Sequence, residues 1–417
     1  MIKLNKLQIF SIVMMFLFSS MFSSLFRFLP VPLSSFRFYE ALMLLVILLQ
    51  FSKFFLTQYF WIVILFILVF SFGYFTIWEE IRDYEAIDSY GFNFVSKHFE
   101  PLLLGAVSVF FISKVKRDET FRLPVRFFVP IMLICSFIYF ILFSDALNFA
   151  RGAFARQGGG VARTTDILGY DFIYSIAFIA PIFAFLYEKF KESRKKKIVL
   201  ITVIIVYFFC IIKSGYATAL ITAFLFFLIA LITKGNIIKY RKTIIAISLV
   251  VFLIPIEFIA DLFYGISSFI PQDYIATKFN DLGDLFSAGE FTTSGGDGYL
   301  AKDRFSKIEP LKVSFFSNPY IGGGINTGHH FWLDTASLFG LLGIFIWILV
   351  FSVLIKGVLS NVQDDFRPYL KLCFLSFILV AFIKGGTIVI KSILILFLFA
   401  PLVPYMFKLD VPAEENQ

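Results

Sequence analysis

The sequence predicts an all-α membrane protein that crosses the bilayer about twelve times. Composition is the first reason: 59% of the 417 residues are hydrophobic and 16% are charged, against about half and about a quarter in soluble domains. The second is that the apolar residues fall in long runs, and a membrane helix needs roughly 20 of them. The third is that Lys and Arg collect in alternate connections, as the positive-inside rule requires.

The runs are taken in chain order. Met1–Lys6 leads into 8–29, and no small-residue cleavage site follows, so this segment reads as a membrane helix rather than a removed leader. Further spans are expected at 38–52, 57–78, 100–115, 125–144, 168–187, 198–212, 216–233, 243–262, 331–355, 369–384 and 387–407. The second, fourth, seventh and eleventh are short. With both termini in the cytoplasm, the inner connections hold most of the basic residues, including the run KFKESRKKK at 189–197. The acidic segment Glu79–Asp88 then falls outside. The net charge of +8 is thereby a topology signal, and no nucleic-acid partner is expected. The whole chain reads as one integral membrane domain.

Two external loops stand out. Residues 145–167 carry Arg151, Arg156 and Arg163 beside Gly158–Gly160. Residues 263–328 form the longest connection, and their mixed composition predicts a folded cap with short helices over the late spans. Asp281, Asp284, Asp297 and Asp303 are read as solvated loop residues, and Glu257 and Asp261 as lying near the outer end of the ninth span.

Several chemistries are absent. There is no GxxxxGK[ST], HExxH, CxxC or DxD, so no nucleotide or metal site is expected. Cys135, Cys210 and Cys373 lie in apolar runs without metal-ligand spacing or a disulfide role. Gly322-Gly323-Gly324 lacks the strand–turn–helix setting of a dinucleotide site and reads as a flexible turn. His98, just before the fourth span, reads as interfacial.

His329 and His330 open the tenth span, and Asp334 lies one helical turn on, within reach of an imidazole. Ala336, Gly340 and Gly343 share a face with His329, where small residues would let a neighbouring helix approach. From His329 the pattern is H-x-x-x-L-x-x-x-x-x-x-G-L-x-G, filled by His329, Leu333, Gly340, Leu341 and Gly343. Upstream, R-x(14)-P-x-x-G-x-G is filled by Arg304, Pro319, Gly322 and Gly324.

Together these resemble the signature region of the O-antigen ligase/polymerase superfamily, in which the motif also follows a large external loop and opens a late span. The resemblance covers about 40 residues; the rest agrees in topology alone. It implies glycosyl transfer at the outer face of the cytoplasmic membrane, without metal or nucleotide cofactor. The donor and acceptor would be undecaprenyl-pyrophosphate-linked glycans, with a chain-length regulator as a protein partner. His329 would activate the acceptor hydroxyl, and Arg304, with Arg163, Arg151 and Arg156, would hold the pyrophosphate. His330 and Asp334 would support. Family members carry Ser-Arg at a mid-chain external turn; here the turn reads Lys213-Ser214-Gly215-Tyr216, so Lys213 is carried over in its place.

The residue types suit that chemistry. A lipid pyrophosphate is already a good leaving group, so no acid is needed, unlike the paired carboxylates of glycoside hydrolases. Imidazole titrates near the working pH, and guanidinium pairs with phosphate oxygens through two parallel bonds. The His-His-x-x-Leu-Asp wording favours a polymerase of O-antigen or capsular repeat units over a ligase that moves finished polymer to lipid A-core. A lipid-linked glycan flippase is the rival from another class, but it would be expected to show internal repeats and interrupted helices, and the sequence reads as having neither.

Overall fold

The computed structural model describes residues 5–22, 30, 33, 35–81, 90–115, 170–214, 216–235, 256–269, 276, 279–280, 283, 308–328, 330–384 and 389–407. The protein is all-helical over these residues, with no strand. The helices are α1 (Lys6–Phe22), α2 (Phe36–Gln50), α3 (Gln58–Ile81), α4 (Tyr90–Val115), α5 (Tyr170–Ala177) and α6 (Ala180–Phe190). They continue with α7 (Arg194–Lys213), α8 (Ala217–Thr233), α9 (Ile256–Phe269), α10 (Ile308–Ser317), α11 (Phe331–Leu359), α12 (Arg367–Ile383) and α13 (Ile390–Met406). By length and composition, Asp171–Phe190 and Phe331–Leu359 are long and apolar enough to cross a membrane, and α1, α8 and α13 are shorter apolar helices. The span expected at 125–144 lies outside the described residues.

Helix limits differ from hydropathy where polar residues continue a helix. α4 begins at Tyr90, ten residues before the apolar run, and carries Pro101 inside it. α9 runs on to Phe269, past the expected loop boundary. α10 is a short helix within 263–328.

The core explains the arrangement. α13 is apolar on every side, and Ile393–Leu398 are buried all round, which is the signature of a central helix. α4 and α5 pack against it, and Ser175 and Ser392 meet hydroxyl to hydroxyl at 3.0 Å. Aromatic rings fill the space between α3, α4 and α11: Trp347 packs at 4.8 Å from Phe66 and 5.0 Å from Phe331. Hydroxyls inside the apolar helices turn back on their own carbonyls, as Ser19 does to Met15 and Ser108 to Leu104. Outward faces stay apolar as well, with Leu49, Leu68, Phe72, Ile205, Phe224 and Phe345 exposed.

The bundle has two distinguishable ends. At one, the starts of α2 and α4 are joined by Arg37 and Glu100 at 2.5 Å, and that carboxylate, with Glu40, raises the Arg37 pKa further. At the other, Lys189 at the close of α6 pairs with Asp365 between α11 and α12 at 2.5 Å, and Tyr405 Oη donates to Asn361 O at 3.0 Å.

The break between α5 and α6 has a covalent cause. Pro181 has no N–H to donate to Ala177 O. Ala177 O is met instead by Tyr207 Oη of α7 at 3.4 Å, which also lies 3.0 Å from Ile176 O, itself an acceptor from Ile179 N. Ile182 N turns to Ile179 O, and Ser376 Oγ reaches Phe178 O at 3.5 Å. Tyr207→Phe is therefore expected to cost about 1–3 kcal/mol, the usual penalty of a buried acceptor left unmet. Thermal unfolding of the purified variant checks it.

Candidate functional site

The site is built on a broken helix. Gly340 interrupts α11 with φ 59° and ψ −154°, a conformation essentially confined to glycine. An unbroken helix would bond Leu341 N to Ser337 O and Leu342 N to Leu338 O. Instead Leu341 N donates to Pro319 O at 2.8 Å and Leu342 N to Tyr320 O at 3.1 Å. The freed Ser337 O accepts from Gly323 N at 2.9 Å, Gly324 N at 3.2 Å and Ser314 Oγ at 3.2 Å. The segment Asn318–Gly324 thus takes over the bonds that α11 gives up.

This corrects two expectations. The glycine tract is a clamped segment, not a flexible turn: Gly322 and Gly324 hold positive φ, and a Cβ on Gly322 would lie 2.3 Å from Leu338 C. Nor do Ala336, Gly340 and Gly343 form a stripe for a neighbouring helix. Gly340 meets the loop backbone at Pro319 and Tyr320, Gly343 meets Phe339 and Thr335 of its own helix, and Ala336 lines a groove beside α12. The turn at Gly340 takes the three off a common face.

The chain then reaches the start of α11 under the control of Asp334, which is 3% exposed. Its Oδ1 accepts from Thr327 N and Thr327 Oγ1, both at 2.8 Å, and its Oδ2 accepts from His330 N at 2.9 Å. Asp334 therefore holds the backbone of the loop rather than the imidazole of His330. That ring packs against α12, with Nδ1 3.3 Å from Phe382 O. Phe331 N reaches Lys384 O at 3.4 Å, and Trp332 Nε1 donates to Ile378 O at 3.1 Å. The end of α12 and the start of α11 are fastened together.

Two lysines that the sequence reading passed over, and His98, which it read as interfacial, are buried in the bundle. His98 is buried, with its ring 5.7 Å from that of Phe331 and 5.5 Å from that of Trp347, so it belongs to the packed wall and not to an interface. Lys384 and Lys391 are 8% and 9% exposed. Lys384 Nζ sits over the Tyr174 ring at 5.9 Å, and the Tyr216 ring lies tilted against that of Tyr174 at 6.0 Å. The starts of α4, α5, α8 and α11 and the end of α12 thus share one end of the bundle. Charge inside an apolar run is itself a functional signal, and would have drawn attention to both lysines.

His329, Arg304, Arg163, Arg151 and Arg156 lie outside the described residues. Lys213 closes α7, and its side chain is outside them too; Tyr216, at the same turn, is the residue that faces α5. Among the described residues no group of three His, Cys, Asp or Glu could hold a metal ion. Cys210 and Cys373 are buried free thiols. Comparison with protein-family models, curated proteins and solved structures finds no match to the chain.

Proposed function

We propose that the protein is a polytopic enzyme of about twelve spans in the bacterial cytoplasmic membrane. It joins undecaprenyl-pyrophosphate-linked repeat units into O-antigen or capsular polysaccharide at the outer face. The observation that carries this reading is the clamp on α11: a loop bonded into a broken helix, closed by Asp334, with His329 next in the chain to the fixed His330. A general base must sit within hydrogen-bond reach of the group it deprotonates, and a rigid mount at His330, the residue after His329, suits that demand. Apolar outward faces on α2, α3, α7, α8 and α11 favour a lipid surrounding. Lys384, whose carbonyl meets the start of α11, suits an anionic leaving group, in addition to the arginines of the motif.

In this reading His329 takes the proton of the acceptor hydroxyl, the hydroxyl oxygen attacks the anomeric carbon, and the lipid pyrophosphate leaves with the bonding pair. His329→Ala is expected to reduce polymer by about 10²-fold or more, the usual share of a general base. Full-length polymer at normal expression would remove His329 from the role.

A second reading gains from the interrupted helices, which the sequence did not reveal. Breaks at Gly340 and at Pro181 resemble the discontinuous helices of transporters, so a lipid-linked glycan flippase stays in view. One comparison separates these, in a strain lacking the protein. Single surface repeat units without a long ladder support the polymerase, and long polymer stranded on the lipid carrier supports the ligase. Single units held at the inner leaflet support the flippase.

A further inference from the structure

A cavity of about 900 Å³ runs between α11 and α12. Leu333, Ile348 and Ile355 form its apolar wall along α11. One end differs in kind: Lys356, Arg367 and Lys371 line it there. Arg367 pairs with Asp364 at 2.6 Å through one terminal nitrogen, yet its Nε–H is buried with no acceptor. Among the described residues neither Lys356 nor Lys371 has a carboxylate partner, and nearby Asp365 is engaged by Lys189. A hydrocarbon slot ending in surplus positive charge has the chemistry of an amphiphile turned inside out.

We propose that this groove binds an anionic diacyl phospholipid. Its phosphate sits on Lys356, Arg367 and Lys371, and one acyl chain lies along Ile355 and Ile348. The inference rests on the membrane reading above. It does not make the groove the donor site. Phe331 and Lys356 lie near opposite ends of α11, and the stretch from Leu341 to Lys356 alone rises by roughly 20–25 Å at about 1.5 Å per residue, most of the hydrocarbon thickness. A pyrophosphate reacting beside His330 is thus far from these cations. Basic pockets at the cytoplasmic ends of membrane helices are natural seats for anionic headgroups, and in the topology read from charge this is the cytoplasmic end.

The test uses the full chain, purified in detergent and exchanged with defined lipids. Native mass spectrometry compares retention of phosphatidylglycerol, phosphatidylcholine of the same chains, and undecaprenyl phosphate. Phosphatidylglycerol is expected to be retained at least about tenfold over phosphatidylcholine. The triple variant Lys356→Gln, Arg367→Gln, Lys371→Gln should lose that preference while keeping its helicity and elution volume. If it does not fold, Lys371→Gln alone should weaken the preference. Ile348→Trp, which fills the slot, should reduce retention of both phospholipids. Equal retention of the two, an unchanged preference in a folded charge variant, or stronger retention of undecaprenyl phosphate overturns the proposal. If the chain is instead released by alkaline carbonate from isolated membranes, the membrane reading itself falls; a carbonate-resistant chain without lipid preference overturns the lipid site alone.

Discussion

Gly340→Ala is expected to destabilise the protein by about 3 kcal/mol or more. Two costs add. The backbone at φ 59°, ψ −154° carries a strain of about 1–3 kcal/mol for any residue with a Cβ. The new Cβ would also lie 2.5 Å from Tyr320 C and 2.6 Å from Pro319 O, which are backbone atoms with no rotamer to yield. Relief by straightening α11 would return Leu341 N to Ser337 O and strand Gly323 N and Gly324 N. Gly322→Ala attacks the same joint from the loop side, and should behave alike. Gly265 is the control: it sits inside α9, and among the described residues nothing lies within 4 Å of where its Cβ would be, so alanine there should be neutral or stabilising by up to about 1 kcal/mol. Thermal unfolding of the three variants in one detergent compares them; equal midpoints for Gly340→Ala and Gly265→Ala would refute the clamp.

The second large effect is expected at Asp334. Asp334→Ala leaves Thr327 N, Thr327 Oγ1 and His330 N without the carboxylate they donate to, His330 being buried and Thr327 half-buried. Each unmet donor costs about 1–3 kcal/mol, and the loss should free the loop from α11. Asp334→Asn is the sharper probe. In one amide orientation its NH2 faces His330 N–H; in the other it faces Thr327 N–H. Either way at least one donor meets a donor, because the site requires two acceptor oxygens. Both variants should expose the 318–330 segment to proteolysis and lose polymer formation together, with Asp334→Asn the milder. Wild-type stability in Asp334→Asn would mean that the carboxylate is not the anchor.

Helices were legible because apolar runs report them directly. The break in α11 was not, since Gly340 lies within an unbroken apolar run, and hydropathy registers apolarity without registering backbone angles. The signal that did exist was joint: Gly322, Gly324 and Gly340 are far apart in the motif but serve one joint, and only the exchanged bonds reveal it. The reading of Asp334 as a partner of a histidine was right about proximity and wrong about the atom, because the capping geometry brings the His330 amide, not its ring, to the carboxylate. His98 was misplaced for a different reason. It was read as interfacial from its place just before the expected fourth span, yet α4 begins at Tyr90 and His98 lies buried within it. Lys384 and Lys391 were absorbed into span ends, where charges at helix limits are common, although both are buried.

The joint between the loop and α11 also bears on how the chain is made. A helix that enters a bilayer with a gap in its hydrogen bonding would ordinarily have to wait for a distant partner, holding bare amides in oil meanwhile. Here the missing partner is the stretch synthesised immediately before it, within about one ribosome-tunnel's length of the break. Under the proposed membrane reading, the pair can close on itself as it leaves the translocon, before α12 or α13 exists. The site is then assembled early and locally, and the later helices dock against a part already finished.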